Sequence, residues 1–171
     1  MVTAYLSLGS NIDRYRHISA ALDALTARFG GLVISPVYES EAVGFDGDNF
    51  LNLVVGIETD LPVGGLSAEL KRIEDENGRL RSGPKFSART LDIDVLTVDQ
   101  LSGEHDGVLL PRDEVETNAF VLRPLADIAA GDIHPLTGLS YGAMWQAYSK
   151  AQKLWAVDFT WAGQLVSQAE R

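Results

Sequence analysis

Apolar residues alternate with smaller or more polar neighbours at Val2, Ala4, Leu6 and Leu8, the period-two signature of a strand that stops at Gly9. From Ile18 the spacing changes to Ala21, Leu22, Leu25 and Phe29, a helical period closed by Gly30-Gly31. Residues 32–39 hold Val33, Ile34, Val37 and Tyr38 and predict a second strand, bent at Pro36 and so near a sheet edge. A loop over 40–49, with Gly44 and Gly47, leads to a third strand over 50–59 that sets Leu51, Leu53, Val55 and Ile57 on one face. Leu66, Leu70 and Ile73 mark a second helix ending at Gly78, and residues 91–98 form a fourth strand rich in β-branched and apolar side chains.

The resulting order, β-α-β-β-α-β, is the ferredoxin-like split βαβ unit: an α+β fold with an antiparallel sheet and both helices on one face. Downstream, the pattern gives a turn-rich segment over 102–111, a short helix around 125–129 and a helix near 141–150. The tail from Leu154 holds Trp155, Phe159 and Trp161 and is too apolar to hang free, so it should pack on the body. With 171 residues the chain predicts one domain, a core over about 1–130 with a C-terminal extension over about 131–171.

Composition narrows the classes. Apolar residues make up 46% and charged residues 22%, which excludes disordered and low-complexity chains. There are no cysteines, so disulfides, thiolate metal sites and cysteine nucleophiles are absent. A formal charge of −10 repels phosphate backbones and anionic membranes. With no signal-like lead-in and no apolar stretch near about 20 residues, the expectation is a soluble, cytoplasmic protein without nucleic-acid, membrane or obligate protein partners.

Against that acidic background, Arg79, Arg81, Lys85 and Arg89 fall in one run that no acid interrupts. The run is either a solvated loop whose cations pair with Glu74, Asp75 and Glu76, or an anion clamp, because the guanidinium fork matches phosphate oxygens. Gly83-Pro84 in its middle would make it a lid. Directly after it, Asp92 and Asp94 stand at i and i+2 of a strand, on one face, with Cα atoms roughly 6.6 Å apart. Such a pair faces water, joins an Arg network or holds a hard divalent cation; carboxylates, Mg²⁺ and Arg together form the set that phosphoryl transfer uses. Gly138-Leu139-Ser140-Tyr141-Gly142 matches G-x-S-x-G by chance, since no strand precedes it and no His follows to complete a triad. His17, His105 and His134 have no ligand spacing and read as surface or capping histidines.

Several segments carry a resemblance. Tyr5-Leu6-Ser7-Leu8-Gly9-Ser10-Asn11, Val37-Tyr38-Glu39-Ser40 leading to Phe50-Leu51-Asn52, the stretch from Ile73-Glu74 to Gly78-Arg79-Leu80-Arg81, Ala88-Arg89-Thr90-Leu91-Asp92-Ile93-Asp94, and Ala119-Phe120-Val121-Leu122-Arg123-Pro124-Leu125 occur in order over about residues 3–130. Together they resemble the 6-hydroxymethyl-7,8-dihydropterin pyrophosphokinase family of folate biosynthesis. The resemblance implies transfer of pyrophosphate from ATP to the pterin hydroxymethyl group with release of AMP. It further implies two Mg²⁺ on Asp92 and Asp94, and Arg79, Arg81, Lys85 and Arg89 as the catalytic cations. ATP contacts would come from Glu74, Arg79 and Arg89, with Arg112 able to supply the positive charge of the family's usual contact, and a pterin pocket from Ser40, Val43, Phe50, Asn52 and Phe120. Several positions depart from the family pattern: Arg112 follows Pro111 where His is usual, Asn118 stands shortly before Phe120 where Arg is usual, Phe50 replaces a common Tyr, Lys85 and Phe86 stand where Arg and Trp are frequent, and Ser40-Glu41-Ala42-Val43 replaces a frequent Thr-Pro-Pro-Leu. The departures leave a second reading open, a diverged pterin- or nucleotide-binding homologue with little or no turnover.

Overall fold

The structure, a computed structural model, describes residues 1–41, 47–78 and 90–169. The first part of the chain forms β1 (Val2–Ser10), α1 (Arg14–Phe29), β2 (Val33–Ile34), β3 (Tyr38–Ser40), β4 (Phe50–Thr59), α2 (Val63–Glu76) and β5 (Asp92–Val98). There follow β6 (Gly103–His105), β7 (Val108–Leu110), α3 (Glu114–Thr117), α4 (Ala119–Ala129), α5 (Tyr141–Ala147), β8 (Leu154–Ala156), β9 (Phe159–Trp161) and β10 (Gln164–Ser167). The main sheet runs β5-β1-β4-β3-β8, with β2 also on β4, and every pairing is antiparallel. This is the ferredoxin-like arrangement.

Both ferredoxin helices lie on one face, where Ile18, Leu22 and Leu25 of α1 and Leu66, Leu70 and Ile73 of α2 meet Leu6, Leu53 and Val55. On the opposite face a second core joins Val54 and Leu96 to Leu122 and Leu125 of α4 and Tyr141 and Met144 of α5. Covering both faces explains the nearly unbroken apolar run of β4, which is buried from Leu51 through Ile57.

Several elements differ from the sequence expectation, among them α2 and α5, which end at Glu76 and Ala147, short of Gly78 and residue 150. Helix α1 begins at Arg14, because its first turn, Arg14 to the buried His17, carries no aliphatic side chain that would show the helical period. The second strand splits into β2 and β3, and Ser35 fills the break by bonding Val54 through its own N–H and its Oγ, each at 2.9 Å. The segment 102–111 is a hairpin, β6–β7, turned through Asp106 and Gly107 at φ of 53° and 82°. Asp106 Oδ2 also accepts the Gly64 N–H at 2.9 Å and so caps the start of α2. Helix α4 starts at Ala119 and runs through Pro124. The tail packs as expected: β8 extends the sheet beyond β3, and Phe159 is buried in the first core.

Candidate active site

Cross-strand register brings the predicted residues into one row. Asp92 pairs with Gly9, Gly9 with Asn52, and Asn52 with Tyr38, across β5, β1, β4 and β3. Strands spaced by about 4.8 Å set Asp92 and Asn52 roughly 10 Å apart, with only a glycine between them. A Cβ at Gly9 would meet Asn52 Oδ1 at 3.5 Å, so the missing side chain keeps that stretch of the face open. Asp94 lies one step along β5, opposite Ser7. Its carboxyl is pushed from its ordinary value of 3.8 up to about 8, first by burial and then by the neighbouring Asp92 carboxylate, against the pull of Arg112.

Beside the pair lies a cavity of about 390 Å³ between α2, β5 and β7, lined by Lys71, Glu74, Asp92, Asp94, Leu109 and Arg112 among others. Glu74 is only 4% exposed and its Oε2 accepts the Ile93 N–H at 2.7 Å, which ties α2 to the open edge of β5. Arg112 follows the cis Leu110–Pro111 bond and donates its own N–H to Leu96 O at 2.9 Å. Its Nη1 stands 3.8 Å from Asp94 Oδ1 and its Nε 2.7 Å from Glu114 Oε1. Asn118 donates to the other oxygen of Glu114 at 2.7 Å. Lys71 was not singled out from sequence, although it precedes Glu74 by three residues and therefore shares its helix face.

At the other end of the row Asn52 Nδ2 donates to Ser40 Oγ at 2.7 Å, both residues being buried. Phe50 pairs with Ser40 and shares the face of Asn52. Helix α4 lies over this side: the Arg123 guanidinium sits 4.6 Å above the Tyr38 ring, and Tyr38 donates its hydroxyl proton to Asp127. Phe120, one turn before Arg123, is half-buried against the second core. Arg79, Arg81, Lys85, Arg89 and Val43 lie outside the described residues.

Of the surface and capping roles expected for the histidines, the surface role fails for His17 and His134, which are buried, while His134 caps a turn. Nδ1 of His17 lies 2.6 Å from Ile12 O, while Nδ1 of His134 accepts the N–H groups of Leu136 and Thr137, each at 3.1 Å. Ser140 of the G-x-S-x-G match is the N-cap of α5 and accepts the Ala143 N–H. No helix among the described residues is long and apolar enough to cross a membrane.

Fold and site together define a ferredoxin-like α+β protein with a half-buried carboxylate pair beside an open cavity. A model of the 7,8-dihydro-6-hydroxymethylpterin-pyrophosphokinase (HPPK) family matches residues 5–130, and the chain belongs to that family. The 2-amino-4-hydroxy-6-hydroxymethyldihydropteridine pyrophosphokinase of Aquifex aeolicus is 36% identical over 138 residues, covering 80% of this chain and 86% of the relative. The protein of the same name from Haemophilus influenzae is 34% identical, covering 79% and 86%. The crystal structure of Plasmodium falciparum HPPK-DHPS superposes with a TM-score of 0.65 at 13% identity, a likeness of fold. It covers 86% of this chain, which spans 44% of that longer one.

Proposed function

We propose that the chain transfers the pyrophosphoryl group of ATP to the hydroxymethyl oxygen of 6-hydroxymethyl-7,8-dihydropterin, releasing AMP. The observation that supports this reading is the row Asp92–Gly9–Asn52. A pterin held at Asn52 would direct its hydroxymethyl arm over the side-chain-free Gly9 toward the carboxylates, and ATP would occupy the cavity between α2 and β7. The amide of Asn52 suits the pterin edge, which offers donors and acceptors, and the rings of Phe50 and Phe120 suit its flat faces.

Asp92 and Asp94 fit Mg²⁺. Their donors are all oxygen, and the Asp94 carboxyl is pushed up first by burial and then by the Asp92 carboxylate, against the pull of Arg112. Among the described residues no third carboxylate or histidine joins them, which suits Mg²⁺, an ion that keeps several waters and takes phosphate oxygens as ligands. When bound, two Mg²⁺ ions would neutralise charge on the triphosphate. Arg79, Arg81, Lys85, Arg89 and Arg112 would add cations; at an effective dielectric of 20 a charge pair at 4 Å is worth about 4 kcal/mol, so local charge outweighs the diffuse −10 background. The rest is positioning, with the pterin hydroxyl attacking the β-phosphorus as the bond to the α-phosphate oxygen breaks.

Incubation with ATP, Mg²⁺ and the dihydropterin should yield AMP in step with pterin consumed; no AMP overturns the reading. Asn52→Ala is expected to raise the pterin KM about tenfold, the worth of roughly 1.5 kcal/mol of hydrogen bonding, and to leave the ATP KM in place. An equal rise in both constants would place Asn52 outside the pterin site.

A further inference from the structure

We infer that Glu114 is a positioning residue that aims Arg112 at the phosphates of ATP, and that the C-terminal segment holds it there through Asn118 and Gln152. The inference rests on the ATP reaction proposed above. It starts from a fixed donor: the Ala119 N–H, at the start of α4, donates to Gln152 Oε1 at 2.6 Å. That fixes which way the Gln152 amide faces, so its Nε2 donates to Asn118 Oδ1 at 3.4 Å. Asn118 must then present Nδ2 to Glu114 Oε2, at 2.7 Å, and Glu114 Oε1 receives Arg112 Nε, also at 2.7 Å. Tyr148 stands beside the assembly, its hydroxyl 2.8 Å from Gln152 Oε1 and 2.7 Å from Thr117 O, and its single proton serves one of these two acceptors at a time.

Every donor in this series meets an acceptor, and reversing either amide would break two contacts. An arginine that gives Nε to one carboxylate keeps its Nη groups for a second anion, and Nη1 of Arg112 indeed faces the Asp94 side. Arg112 is 40% exposed, and a side chain of that length would otherwise sample many rotamers. Two of the departures from the family pattern, Arg112 and Asn118, are thereby one feature: both bind the same carboxylate.

Electrostatics alone predicts the opposite sign. Deleting a carboxylate beside a polyphosphate should tighten ATP binding, whereas losing a positioning residue should weaken it. The experiment is a double-mutant cycle on the full chain, Arg112→Ala and Glu114→Ala singly and together. It is read by calorimetry with a non-hydrolysable ATP analogue and Mg²⁺, and by AMP release. Each single variant should bind the analogue about tenfold more weakly, and the double variant no more weakly than Arg112→Ala, with pterin affinity unchanged throughout. Gln152→Glu keeps an acceptor for Ala119 but cannot donate to Asn118, so it should melt like the parent and still lose part of the affinity. Additive losses, or tighter binding by Glu114→Ala, would reduce the contact to a surface ion pair and overturn the inference. A parent that binds the analogue without ever releasing AMP would overturn the proposed reaction while the cycle still decides the role of Glu114. A parent that binds no analogue would overturn both.

Discussion

Asp92→Asn and Asp94→Asn are each expected to lower turnover about a hundred- to a thousandfold, the usual cost of losing one preorganised electrostatic contact at a reacting phosphate. Asp94→Asn should not melt below the parent. The reason lies in the sign of the Asp94 shift. Its folded-state value of about 8 stands above the ordinary 3.8, so between those limits the folded chain holds a proton that the unfolded chain has released. Stability from this group is therefore present below about pH 4 and is lost as the pH rises toward 8. Asparagine has nearly the same shape and no charge to bury, so Asp94→Asn in chelator should melt above the parent at pH 8 and level with it near pH 4. Mg²⁺ should raise the melting temperature of the parent at pH 8 and do less for the variants. Retained AMP release in both variants would show that the carboxylates face the cavity without serving the reaction. A melting temperature for Asp94→Asn below that of the parent at pH 8 would show that they are structural partners of Arg112.

Much of this site was legible because strand geometry is simple. Alternation alone puts Asp92 and Asp94 on one face, and the bounds of β4 coincide with the predicted 50–59 because turn residues flank an apolar run. Antiparallel register then aligns Asp92, Gly9 and Asn52, which the order of strands implies but residue spacing cannot specify. The pattern predicts only 125–129 of helix α4 because proline is disfavoured in a helix interior, whereas burial of Val121 and Leu122 carries the helix across Pro124. The β6–β7 hairpin holds an Asp-Gly turn signal at 106–107, but its three-residue strands are too short to show alternation. Glu114 gave no signal at all. It sits on a single turn of helix, and its role depends on Gln152, 38 residues later, meeting Asn118 across the fold. Hydrogen-bonded chains between distant polar side chains leave no periodicity in a sequence.

Phe159→Ala is expected to cost about 3–5 kcal/mol, the range for removing a buried aromatic ring from a packed core, and to lower the melting temperature on the order of 10 °C. A ring in a C-terminal tail would ordinarily be worth far less, since termini fray. Here the ring is 2% exposed, belongs to the core shared by α1 and the sheet, and stacks on Tyr15 at 5.4 Å. Its neighbours in the tail are fastened too: Trp161 Nε1 donates to Asp23 on α1 at 2.9 Å, and the Val157 N–H and Ser167 Oγ both donate to Val37 O. Just before it, β8 supplies the outer partner of β3, setting Leu154 opposite Ser40 and Ala156 opposite Tyr38. The tail thus braces the strand that carries Ser40, whose hydroxyl accepts from Asn52. Well below its melting temperature the variant should keep the ATP KM and show a raised pterin KM, because the strand pairing and hydrogen bonds of the tail named here reach β3, Val37 and α1, on the pterin side of the row. Denaturant unfolding of parent and variant, with both KM values at 15 °C, measures all of this. A cost under about 1 kcal/mol would mean the tail rests on the body without completing its core. A shift confined to the ATP KM would break the link drawn here between β8 and the pterin side of the sheet.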